Sequence, residues 1–175
     1  MKFFSDIRLL LLAIWLGASV FFIGVAQSVF AVVPERELAG AVVGRSLALL
    51  NYAGMVIAAV LILTSLAGTT TVSQFWLWVE RFLLLTLGAA AAVGQFVIGI
   101  WLASVRAQMG RPIDEVAADD PLRTQFNMLH EYSVWILFVG MIAALIAFFI
   151  IANRRFGITA AAAPDIYDFS KEFKS

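Results

Sequence analysis

Four stretches of this sequence are long, apolar and free of formal charge, and no other feature limits the fold so tightly. They run over about residues 9–33, 47–67, 82–104 and 133–152, and none contains Asp, Glu, Lys or Arg. The hydrocarbon core of a bilayer is about 30 Å thick, so a helix needs roughly 20 mostly apolar residues to cross it. Within lipid every backbone N–H and C=O must find its partner inside the protein, and a helix supplies these to itself. The expected fold is therefore all-α, an integral membrane four-helix bundle of two antiparallel helical hairpins. Composition agrees: 62% of the residues are hydrophobic and 14% charged, against about half and a quarter in soluble domains.

The first apolar run opens after Lys2 and Arg8 and resembles a signal peptide in its charge pattern. Its length is well beyond the roughly 7–15 residues of a signal core, so it reads as a retained helix. Residues 1–153 make up the transmembrane domain and 154–175 a polar tail. In "NRRFG", Gly157 reads as a helix stop. Ahead of the fourth run, "DDPL" reads as a helix start, with Asp120 as N-cap and Pro121 in the first helical position. Trp76 and Trp78 suit a membrane interface, and Arg81 can reach the headgroups.

Four spans put both termini on one side. That side carries Lys2, Arg8, Arg81, Arg154, Arg155, Lys171 and Lys174, and the other carries Arg36, Arg45, Arg106, Arg111 and Arg123. The bias toward the termini predicts that both face the cytoplasm, in the plasma (inner) membrane if the source is bacterial.

Between helices in lipid, close approach and interhelical hydrogen bonds matter more than apolar burial. Gly17, Gly24, Gly40, Gly44, Gly54, Gly88 and Gly94 are the expected packing positions, and "GAAAAVG" makes the third helix smooth enough to pack centrally. Uncharged polar residues gather toward the membrane face opposite the termini: Gln27 late in the first span, Asn51 early in the second, Gln95 past the middle of the third, and His130 and Ser133 at the start of the fourth. They admit two interpretations. They are interhelical hydrogen bonds worth roughly 1 kcal/mol each, or they line a polar pocket on a solute path. The apolar runs contain no carboxylate to accompany them, which speaks against a proton-coupled pump.

Several chemistries are excluded or disfavoured. The formal net charge is zero, with 12 basic and 12 acidic residues, and no basic patch suggests nucleic acid. Without cysteine there are no disulfides, thiolate metal sites or cysteine nucleophiles. No P-loop, GxGxxG, HExxH or Ser-His-Asp pattern is present, so no enzyme activity, cofactor or metal is expected. His130 is the sole histidine. With Met128 and Met141 it offers soft ligands for Cu(I), but Met128 lies on another helix face. Bis-histidine haem would need a second chain. The run "DEVAADD" lacks calcium-loop spacing.

The segment "RLLLLAIWLGASVFFIGVAQSVFAVV" followed by "AGAVVGRSLALLNYAG", and the later Phe126, Leu129, His130 and Ser133 in "RTQFNMLHEYS", resemble the transmembrane-protein-205-like family, called domain of unknown function 4149 in bacteria. The resemblance implies a four-helix membrane protein with no known enzymatic activity. Its eukaryotic members are associated with drug and metal resistance. The function expected is a non-enzymatic scaffold or interaction protein. The alternatives are a small transport or permeation component with a polar pocket in the non-cytoplasmic half, and, further off, a metal or haem redox protein. The expected partners are the lipid bilayer and either a second copy or another membrane protein.

Overall fold

The computed structural model describes residues 2–67 and 73–161, with side chains over 5–66 and 73–153. Four long helices account for nearly all of it: α1 (Lys2–Val32), α2 (Arg36–Ala67), α3 (Gln74–Met109) and α4 (Pro121–Ala161). There is no strand among the described residues. Within these rods Ser5–Val32, Arg36–Leu66, Gln74–Met109 and Pro121–Asn153 are apolar enough to cross a membrane, over 28, 31, 36 and 33 residues. At 1.5 Å per residue each exceeds the hydrocarbon thickness and reaches into the headgroup region.

The helices are longer than the apolar runs alone predict. α2 starts at Arg36 rather than near 47, and α3 at Gln74 rather than near 82. The polar residues outside the hydrocarbon still extend the same hydrogen-bond ladders. The fourth start falls where the capping signal puts it: the Leu122 amide donates to Asp120 Oδ1 at 2.8 Å, and that of Thr124 to the Asp120 carbonyl at 3.0 Å. Gly157 does not stop α4, which continues to Ala161. The turn at 68–72 and the tail at 162–175 lie outside the described residues. Between α3 and α4, Gly110 takes a left-handed φ of 63°, which suits a residue without Cβ at a helix end.

Each helix packs against its two neighbours, α1–α2, α2–α3, α3–α4 and α4–α1, so the bundle is a closed ring of four. α3 does not sit centrally as its small residues suggest. It occupies one corner and keeps an outward face of Phe82, Leu85, Phe96 and Trp101. The core runs along the axis through Leu12 and Trp15, Leu50 and Leu61, Leu84 and Leu87, then Ala144 and Ala147. A second cluster of Ile98, Val105 and Leu129 closes the end opposite the termini.

The glycines divide into two groups. A Cβ at Gly54 would come within 2.9 Å of Trp15 Nε1, and one at Gly88 within 3.2 Å of Ala58 Cβ. Gly94 lies against the Asn51 amide, and Gly40 takes the Arg106 guanidinium rather than a helix backbone. Gly17, Gly24 and Gly44 meet nothing within 4 Å. They lie on outward surfaces, so they do not pack the bundle from within. Gly140, absent from the expected set, is buried against Ala90, Trp15 and Leu87.

α3 is not one regular helix. It is α-helical to Ala92, widens into a π-helical turn over Val93–Ile98, and resumes as α-helix over Gly99–Met109. The Gly99 amide donates to the Gly94 carbonyl, five residues back.

Candidate functional site

Two polar places lie inside the bundle. The first is at mid-depth, where the ring closes around Trp15 and Asn51. Both sit near the midpoints of their helices. The Trp15 indole is 2% exposed and donates from Nε1 to the Leu50 carbonyl at 3.0 Å. Gly54 makes this approach possible, since any side chain there would collide with the indole. Beside it Asn51 is 6% exposed. Its amide lies on Gly94, where the π-helical turn begins to widen α3. Trp15, Asn51, Leu87, Ala90, Ile136 and Gly140 border a cavity of about 10 Å³.

The second place is at the terminus-side end. Glu80, fully buried at the start of α3, pairs with Arg8 near the start of α1. Arg8 Nη2 also donates to the Leu61 carbonyl of α2 at 3.2 Å. One guanidinium thus ties α1 to α3, across the diagonal of the ring, and to α2. Arg81 reinforces this end by donating from Nη2 to the Ser65 carbonyl at 2.8 Å and from Nε to Ser65 Oγ at 3.2 Å. Its guanidinium also lies 5.9 Å from the Trp78 ring centroid. A carboxylate in hydrocarbon surroundings is costly unless paired and hydrogen-bonded, and Arg8 supplies the pairing.

The polar residues expected to converge do not. Gln27 and His130 are exposed, and Gln95 and Ser133 are half-buried. Only Asn51 reaches the interior cavity. Ser133 Oγ donates to the His130 carbonyl at 2.7 Å, a bond within its own helix. On α4 the inward stripe runs through Leu129, Ile136 and Gly140. His130, one residue past Leu129, is turned about 100° out of that stripe. Helix length explains Asn51: because α2 begins at Arg36, Asn51 is at mid-depth and not near the face where Gln27 and His130 lie. Met128 is exposed like His130. Among the described residues no three His, Asp or Glu side chains gather as metal ligands.

Arg8 and Glu80 both fall just outside the apolar runs, so hydropathy alone does not mark them as a pair. The carboxylate missing from those runs is therefore present and buried, at the opposite end from the expected pocket. At the end opposite the termini Arg106 lies over the Phe126 ring at 5.4 Å and against Gly40, while Arg36 and Asp114 form an exposed pair at 3.5 Å.

A family model described as a domain of unknown function, DUF4149, matches residues 10–111, more than half of the chain. The chain belongs to the DUF4149 family. The DUF4149 match spans α1, α2 and α3 from Leu10 to just past Met109, so it includes Trp15, Asn51, Glu80 and the π-helical turn. It ends before α4 and before His130. No curated protein and no solved structure gives a match.

Proposed function

We propose that this DUF4149 protein is a non-enzymatic membrane scaffold or interaction protein, with both termini cytoplasmic, whose outward helix faces meet lipid and other membrane proteins. The observation that carries this is the packed interior. Where the four helices meet at mid-depth the cavity is about 10 Å³, roughly the space of one water and too small for a solute. The outward glycines Gly17, Gly24 and Gly44 support contact with a further helix, a second copy included, because small residues let transmembrane helices approach closely. The resemblance to transmembrane-protein-205-like proteins at Phe126, Leu129, His130 and Ser133 lies outside the matched range and adds a precedent without known enzymatic activity.

A permeation role is the alternative, favoured by one observation: the polar Asn51 stands at mid-depth beside that cavity. Flux through purified protein in liposomes separates the two. The scaffold role predicts ion and small-solute flux equal to that of protein-free vesicles. Flux that is specific to one solute and lost in Asn51→Leu would establish permeation instead.

A further inference from the structure

We infer that Asn51 and the mid-depth cavity form a binding site for a single water molecule, held between α2, α3 and α4. Asn51 is more than nine-tenths buried, and its side chain has no hydrogen-bond partner among the described residues. A primary amide has two donors and an acceptor with two lone pairs. Leaving them unsatisfied away from bulk water costs more than any single interhelical bond returns.

The neighbouring indole does not solve this, because Trp15 Nε1 is already committed to the Leu50 carbonyl. The adjoining cavity measures about 10 Å³, close to the least that admits one water and too small for anything larger. Its wall contains Ala90, Ala91 and Gly140. These small residues leave the space open beside the Asn51 amide. Size and an uncommitted amide together select water. The site does not depend on the scaffold role, since a static bundle and a gated one would hold the same molecule.

Nuclear magnetic resonance on the full chain in lipid nanodiscs, with asparagine side chains labelled with nitrogen-15, tests this, using water itself as the probe. The three asparagines are Asn51, Asn127 and Asn153, and Asn51→Leu assigns the signal of interest. The expected result is a cross-relaxation peak between the Asn51 amide protons and water, with the sign of a water bound for nanoseconds or longer. No hydroxyl lines the cavity to relay such a peak.

Gly140→Ala adds a methyl in ordinary contact, 3.5 Å from Ala90 Cβ, and takes up the space, so the peak should vanish. Gly17→Ala, on the open outer surface, should leave it unchanged. Absence of the peak in the unaltered protein overturns the site, as does its persistence in folded Gly140→Ala. Should that variant not fold, the unaltered protein decides alone.

Discussion

At the residue scale, stability rests on a few positions where polarity or volume admits no substitute. Removing one partner of a buried ion pair strands the other charge. Glu80→Ala is therefore expected to destabilise the bundle by about 3 kcal/mol or more, measured as thermal unfolding in detergent. Replacing both members with apolar residues of similar size, Arg8→Met with Glu80→Leu, should recover most of the loss. That recovery would mean the pair fixes how α1 registers on α3 more than it adds net stability.

The glycines make a sharper contrast. Gly54→Ala forces a methyl into Trp15 and should cost about 1–3 kcal/mol as overpacking, with the Trp15–Leu50 hydrogen bond weakened. Gly17→Ala meets nothing and should leave the melting temperature unchanged within error. Sequence spacing could not separate these two glycines, because it carries no information on which side of α1 or α2 faces the ring. The charged pair was more legible than it looked. The hairpin geometry that sets the end of α1 level with the start of α2 also sets Arg8 level with Glu80.

At the element scale, α3 carries the least regular feature. A π-helical turn accommodates one residue more than the α-helical ladder needs. Deleting Val97, which is exposed within Val93–Ile98, should restore a continuous α-helix and keep both halves in register. Deleting Leu85, also exposed but in the α-helical part, rotates everything before it by about 100° and pulls Glu80 and Leu84 out of place. The first variant should elute as a monodisperse folded protein, and the second should aggregate or lose its cooperative melt.

Nothing in "VGQFVI" announces the π-helical turn, since its apolar residues and the single polar Gln95 fit a regular α-helix equally well. Helix ends were more legible where a cap was written into the sequence. Asp120 and Pro121 placed the start of α4, whereas α2 and α3 began earlier than hydropathy alone allowed. Hydropathy marks where lipid is, not where a helix begins.

At the scale of the whole molecule, the four spans and their two antiparallel hairpins follow from apolar length, because a bilayer leaves so few options for the backbone; the ring, with α3 at a corner, does not. The interior was less legible. The sequence admits either interhelical hydrogen bonds or a polar pocket for Gln27, Asn51, Gln95, His130 and Ser133, and these residues lie on both outer and inner surfaces, since depth and facing are both needed to bring side chains together. With cytoplasmic termini, a cysteine at Ala118, in the exposed α3–α4 connection, should react with an impermeant maleimide applied to intact cells. One at Ser5 should react only after the membrane is opened.

The closure of the ring at mid-depth can be measured directly, because the chain has no cysteine of its own. A Cβ at Gly140 lies 3.5 Å from that of Ala90, within the roughly 3.5–4.5 Å separation of disulfide Cβ atoms. Ala90→Cys combined with Gly140→Cys, oxidised in native membranes, should form an intramolecular disulfide in high yield. Gly17→Cys combined with Gly140→Cys should form none. A bond in the control pair and none between positions 90 and 140 would contradict a bundle sealed between α3 and α4.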